Sequence, residues 1–220
     1  MPHFERLLNR LPALGKTPII GILRRCPPDR VVEVAGTANE SGLPTIEITF
    51  DSEDPASQIR RTIKAFPEMT VGAGTVVEPQ QAEVAIEAGA SFVVSPVVSL
   101  DVLSVCLQAD VPYLPGAATP TEIWNAYRSG ATAVKVFPVR ELGGPAYVAA
   151  LRSPLEGIPL VVTGGVEIDD LAAYLAAGAA AVGLGGTLFP KALIADRQLS
   201  AISDLVSRAV DNSARSTGDR

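Results

Sequence analysis

Four glycines, Gly42, Gly89, Gly130 and Gly178, each close a helical pattern, and an apolar segment follows each within a few residues. Glycine suits a helix C-terminus because the chain must turn there through left-handed backbone. The recurrences are spaced by about two strand–helix units, and further apolar segments lie between them. Together they give eight strand candidates, over 18–23, 45–50, 70–73, 92–95, 111–114, 133–137, 160–162 and 180–184. Helical patterns separate them near 29–41, 55–65, 78–88, 100–109, 119–129, 145–151, 169–177 and 198–210, with an extra helix near 3–13. Strict alternation of strand and helix implies a parallel sheet. Eight units imply closure into an α/β fold of the (β/α)8 TIM-barrel type, at the small end of its usual size. An open doubly wound sheet is the competing architecture, but it usually has fewer strands and a G-x-G-x-x-G turn after the first, and none is well placed here. The 220 residues fit one barrel domain over 1–210, with a polar tail over 211–220 expected to fray.

Composition removes several chemistries. The net charge is −6 without a basic block, which argues against nucleic acid or an anionic membrane as partner. Cys26 and Cys106 form no C-x-x-C pair, so neither a disulfide framework nor a zinc ribbon is indicated, and a reducing, cytoplasmic setting is expected. The start of the chain is charged and amphipathic, without the apolar centre of a signal peptide. The apolar run over 171–186 breaks at Gly178 and reads as helix then strand, not as a membrane span. The single histidine, His3, lies near the start, so a Ser-His-Asp triad, a Cys-His pair and a multi-histidine metal site lack their histidines. Covalent chemistry would then rest on lysine and carboxylate.

Lys135 is the residue that stands out. It interrupts the apolar run AVKVFP over 133–138, whereas Lys16, Lys64 and Lys191 lie in polar, loop-like or helix-end contexts. Burial disfavours the ammonium form, and a neutral lysine amine attacks ketones to form Schiff bases. Taken alone, Lys135 could equally reach from a strand end to water. On the second strand Thr45, Glu47 and Thr49 share one face, and Ile46, Ile48 and Phe50 the other. A carboxyl there is costly unless it faces a polar cavity. An acid and a lysine aimed into one barrel suit proton transfer around an imine, although a purely structural ion pair uses the same residues.

Other polar residues fall where strands end, which is where barrels place their sites. Arg24 or its neighbour Arg25 ends the first strand, and either guanidinium could hold a carboxylate by paired hydrogen bonds. Thr75 follows two glycines after the third strand, a setting for an anion contact or an ordinary turn. Thr163, Gly164 and Gly165 end the seventh strand, and Gly185 and Gly186 end the eighth. Loops after these two strands commonly bind phosphate in barrels, since bare amides allow close approach.

The assembled set resembles the 2-keto-3-deoxy-6-phosphogluconate (KDPG) and 4-hydroxy-2-oxoglutarate (KHG) aldolase family. The matching motifs are GLPTIEITF over 42–50, VGAGTV over 71–76, VSP over 94–96, LPGAATPTE over 114–122, VKVFP over 134–138 and TGGV over 163–166. The resemblance implies a class I lyase that splits a 2-keto-3-deoxy sugar acid phosphate to pyruvate and glyceraldehyde 3-phosphate. It implies a homotrimer with a small keto acid as its substrate and with neither metal nor cofactor. Position by position, Lys135 matches the Schiff-base lysine and Glu47 the general acid/base. Arg24 and Thr75 match residues that bind the pyruvyl carboxylate and neighbouring oxygens. Pro96 and Phe137 match pocket walls, and Thr163, Gly164, Gly165 and Gly185 match phosphate loops. Two positions depart from the family pattern. Asp51 stands where many members carry an arginine, and Gly186 stands where the last phosphate loop often offers a serine, leaving a backbone amide and Thr187 as donors. These departures bear on the substrate: the same chemistry on 4-hydroxy-2-oxoglutarate or on the 6-phosphogalactonate isomer is an alternative, and a non-aldolase phosphate-binding barrel a more distant one.

Overall fold

A computed structural model describes residues 4–217. Its strands are β1 (Ile19–Leu23), β2 (Thr45–Thr49), β3 (Thr70–Gly74), β4 (Val93–Val94), β5 (Tyr113–Leu114), β6 (Gly116–Ala117), β7 (Val134–Val136), β8 (Leu160–Thr163) and β9 (Ala181–Leu184). The sheet runs in the order β5-β4-β3-β2-β1-β9-β8-β7-β6, and all its neighbours are parallel. Its two ends, β5 and β6, are halves of one segment split at Pro115. Proline has no N–H to donate, so the ladder breaks there. The Pro115 carbonyl still accepts from Lys135 N at 2.8 Å. The eight expected strands are therefore all present, the fifth in two pieces, and that fifth segment closes the barrel.

Helices cover the outside: α1 (Glu5–Arg10), α2 (Val31–Glu40), α3 (Pro55–Ala65), α4 (Pro79–Glu87), α5 (Leu100–Gln108), α6 (Pro120–Arg128), α7 (Gly144–Arg152), α8 (Leu171–Ala176), α9 (Lys191–Ala195) and α10 (Leu199–Thr217). Several begin on local signals legible in the chain. Thr119 caps α6 by accepting from Glu122 N, while the Glu122 carboxylate accepts from Thr119 N, a reciprocal box that satisfies two otherwise free amides. Three details differ from expectation. A short helix, α9, intervenes before the last one. The extra N-terminal helix is shorter than expected and continues as a 3-10 turn over Pro12–Gly15; His3 lies outside the described residues. Helix α10 runs past residue 210 to Thr217, with Ser213 buried and Asn212 Nδ2 donating to Ile168 O at 3.3 Å; residues 218–220 lie outside the described residues.

The strands separate two cores. Ile46 and Ile48 of β2, Val134 and Val136 of β7, and Leu160 and Val162 of β8 face the helices. The alternate positions face inward, as the period of two along a strand requires. The lower interior is a dry plug of Ile20, Phe92, Val94, Leu114, Ala133, Val161 and Ala181, sealed from below by Leu7, Leu11 and Leu14 of the N-terminal segment. Above this plug the inward positions become polar, at Glu47, Lys135 and Thr163.

Candidate active site

Lys135 is the only buried lysine among the described residues, 7% exposed, and Glu47 is 3% exposed. Both follow from strand register. β2 turns Glu47 inward because Ile46 and Ile48 are taken by the helix-side core, and β7 does the same for Lys135 between Val134 and Val136. Burial pushes the Lys135 amine below its ordinary pKa; Glu47 opposes that push and the Arg24 charge adds to it. Burial pushes the Glu47 carboxyl above the usual carboxylate range, with Lys135 and Arg24 pulling back. The Lys135 Nζ lies 5.3 Å from the centre of the Phe137 ring. An amine poised toward its neutral form, next to an acid poised toward its protonated form, can add to a carbonyl and move protons around the adduct. The thiols offer no competing nucleophile: burial pushes Cys26 and Cys106 up to about 12.

Gly74 makes the carboxyl's place. A side chain at that position would overlap the Glu47 carboxylate, so the end of β3 must be bare. Thr75 follows it at φ 58°, a left-handed conformation that a β-branched residue rarely adopts. The neighbouring Val76 carbonyl accepts from Ser95 Oγ, and Ser95 Oγ in turn accepts from the buried Tyr113 hydroxyl at 2.8 Å. This buried relay ties the strained turn to β4 and β5.

Two cavities open at the C-terminal ends of the strands and share Phe137 as a wall. One, of about 210 Å³, is bounded by Arg24, Thr163, Gly164, Gly165, Gly185 and Gly186 among others. The second, of about 370 Å³, is bounded by Pro96, Gly116, Ala118 and Glu122 with Phe137. Arg24, not Arg25, is thus the guanidinium that lines the glycine-walled cavity. Gly164 sits at φ 97° against Pro138 and Phe137, where a Cβ would fall 2.9 Å from Pro138 Cα. Among the sequence-derived residues, Thr75 follows Gly74 in the turn after β3 and lines neither of these two cavities, and Pro96 lies across Phe137 from the glycine loops. The Thr187 hydroxyl, expected as a substitute donor, donates instead to Val166 O at 3.0 Å and ties the two glycine loops together.

Sequence reading missed Gly74, and it singled out Asp51 only as a departure from the family pattern, without its partners. The first left a signal, since alternate glycines on β3 leave room beside an alternate-polar β2. The second makes its contacts across strands: Asp51 Oδ2 lies 3.1 Å from Arg24 Nη2 and 3.0 Å from Arg25 Nε. Burial pushes the Asp51 carboxyl up, but the hydrogen bond with Thr49 and the two arginine charges outweigh it and hold it below the usual range. Among the described residues no group of three or more His, Cys, Asp or Glu side chains is arranged to hold a metal ion.

The shifted lysine predicts a pH-dependent stability. The unfolded amine keeps its ordinary pKa of 10.5 and the folded one lies below it. Between the two values the unfolded chain binds the proton more tightly, so folding is penalised more as pH falls through that window. Lys135→Met removes the penalty. Its stability relative to the parent, read from urea midpoints, should decline as pH rises from about 7 toward 10.5, by up to about 1.4 kcal/mol per pH unit inside the window. A difference constant over that range would contradict a depressed amine.

Comparison with known proteins agrees with this geometry. The family model described as KDPG and KHG aldolase matches residues 12–205. A 2-dehydro-3-deoxy-phosphogluconate aldolase of Pseudomonas aeruginosa is 36% identical over 219 residues, covering 97% of this chain and 98% of its own. A 2-dehydro-3-deoxy-6-phosphogalactonate aldolase of Escherichia coli K12 is 33% identical over 176 residues, covering 79% and 85%. The Legionella pneumophila KDPG aldolase, solved with pyruvate captured as a covalent carbinolamine, superposes with a TM-score of 0.84 at 25% identity, covering 90% and 96%. A lysine and an acid buried at the top of a parallel barrel, together with a match that spans most of the sequence, show that the chain belongs to the KDPG and KHG aldolase family.

Proposed function

We propose that this chain is a class I aldolase, carried by a single barrel domain, that reversibly cleaves a 2-keto-3-deoxy-6-phospho sugar acid to pyruvate and glyceraldehyde 3-phosphate. The observation that carries the reading is the buried Lys135 amine, depressed toward neutrality beside Glu47. Lys135 Nζ adds to the C2 ketone, and loss of water from the carbinolamine gives a protonated imine. Glu47, through a water, takes the C4 hydroxyl proton. The C3–C4 electron pair then moves into the imine, releasing the aldehyde and leaving an enamine. Protonation at C3 and hydrolysis release pyruvate and restore the amine. Arg24 and Thr75 bind the keto-acid carboxylate and its neighbouring oxygens. Pro96 and Phe137 wall the reacting carbons. Thr163 and the backbone of Gly164, Gly165, Gly185 and Gly186 receive the phosphate. No step requires a metal or cofactor. The relative acting on the 6-phosphogalactonate isomer keeps that substrate as a second reading.

We also propose a homotrimer. Val77, Val97 and Leu100 stand exposed on the segments after β3 and β4, and Trp124 on α6, with Leu100 61% exposed. Exposed apolar side chains on consecutive units of a barrel fit burial between copies. No helix among the described residues is long and apolar enough to cross a membrane. The two free, buried thiols suit a reducing cytoplasm.

Four outcomes test these readings. Borohydride with pyruvate should leave one covalent pyruvyl adduct on Lys135 in intact and peptide masses; folded protein without an adduct would refute the aldolase. Lys135→Ala should lose turnover on every member of a panel of 2-keto-3-deoxy acids while keeping its circular dichroism, and the preferred member of the panel, with the parent enzyme, decides between the C4 isomers. A side chain at Gly186 meets open space, with nothing within 4 Å of its Cβ position. Gly186→Ser should therefore lower KM for the phosphorylated substrate about three- to tenfold, as one added hydroxyl donor to a charged acceptor would, and leave the unphosphorylated KM unchanged; equal effects on both would move the phosphate elsewhere. For the assembly, sedimentation should show the parent at three times its 22.9 kDa mass and Leu100→Asp at the monomer mass; a monomeric parent would dismiss the trimer.

A further inference from the structure

Asp51 follows the strand that carries Glu47, and its carboxylate is the meeting point of two consecutive arginines from the loop after β1. The three side chains are unequally placed. Asp51 is 19% exposed, whereas Arg24 and Arg25 are 54% and 62% exposed. The acid is the fixed element and the guanidiniums are the long arms resting on it. Ion pairs with arginines this exposed stabilise a fold by little, because water screens them and the long side chains lose entropy. Asp51 Oδ1 is meanwhile buried without a hydrogen-bond partner, which has an energetic cost. The lowered Asp51 carboxyl means that the contacts stabilise the fold at neutral pH, but by a small amount that leaves the convergence of two arginines on one acid without a full explanation.

The position of Arg24 offers a better explanation. Its guanidinium lines the cavity walled by Thr163 and the glycine loops, and its charge is felt by both Glu47 and Lys135. An arginine this exposed would otherwise sample many rotamers, and a carboxylate ligand would have to order it on binding. Asp51 orders it beforehand. Arg25 sits at φ 51°, so the turn that brings both arginines onto one carboxylate is itself conformationally committed. The two guanidiniums and one carboxylate leave one positive charge in excess, which suits a single anionic group.

We propose that Asp51 is a positioning residue that holds the Arg24 guanidinium in place for the carboxylate of the keto acid. The proposal rests on the aldolase reading above. Its test uses the full chain and pyruvate itself. The pyruvate concentration that half-saturates borohydride trapping on Lys135 is measured for the parent, Asp51→Ala and Asp51→Asn, together with steady-state kcat and KM. Asp51→Ala should raise the half-saturating concentration and KM about tenfold, the size expected for loss of a well-oriented hydrogen bond to a charged group. The trapping rate at saturation and kcat should stay within about twofold. Asp51→Asn keeps one acceptor oxygen and should fall between parent and Ala; it replaces Ala as the test if the Ala variant does not fold by circular dichroism. Half-saturation unchanged in a folded variant overturns the proposal, as does a loss confined to kcat. A parent that traps no pyruvate refutes the aldolase reading itself, so the two failures are told apart.

Discussion

The rest of the structure depends on keeping an amine dry. In water Lys135 would be an ammonium and inert toward ketones; inside the barrel, desolvation favours the neutral form. The dryness comes from below. Leu7, Leu11 and Leu14 seal the barrel's lower end, and Phe92, Leu114 and Val161 fill it. Lys135 keeps 7% of its surface exposed. Glu47 opposes the effect, because a carboxylate beside the amine favours the ammonium; its own burial raises its pKa and weakens that opposition. Arg24 adds a second positive charge that disfavours protonation of the amine. Two of the three influences on the amine act in the same direction, and that balance is what the barrel interior provides.

How much of this was legible depends on how local its cause is. The inward aim of Glu47 and Lys135 could be read because a strand alternates, and the isoleucines and valines on either side could only belong to the helix-side core. The split of the fifth strand at Pro115 also has a local cause, a missing N–H, though only the ladder shows that its two halves close the barrel. The tail reads as polar, yet α10 continues to Thr217: Ser213 is buried with its hydroxyl donating to Val210 O inside the helix, and Asn212 reaches Ile168 O, 44 residues away in sequence. The choice between Arg24 and Arg25 could not be read: adjacent residues differ only in the direction the turn gives them, and that turn contains a left-handed residue. Asp51 was visible as a departure, but its partners lie on another loop.

The Thr187 hydroxyl illustrates the same limit. In sequence it stands next to Gly186 and looks like a spare donor. In the fold its proton is engaged by Val166 O, so it joins the loop after β8 to the loop after β9. Thr187 still lines the cavity, but its hydroxyl proton is spent on the spacing of the two glycine loops. With no side-chain donor at Gly186, the proposed phosphate site relies on backbone amides, and amides held by a rigid turn need no rotamer ordering. Leu188 N and Phe189 N both donate to Gly185 O, which fixes that turn.

A division of labour between strands and loops separates the buried acid and lysine from the positions that depart from the family pattern. Glu47 and Lys135 sit on strands whose registers are set by several ladder pairs, with Glu47 against Ile22 and Gly72, and Lys135 against Gly116 and Val161. Moving either would disturb the whole sheet. Arg24, Asp51, Gly164 and Gly186 lie just beyond the strand ends, where a substitution perturbs one turn. In the proposed reading, the reacting groups are therefore held by the cooperative part of the fold, and the groups that recognise the two ends of the substrate by its separable parts. A chain can exchange an arginine for Asp51, or a serine for Gly186, without touching the ladder that places the amine, and in the proposed reading what changes is which keto acid it holds and how tightly.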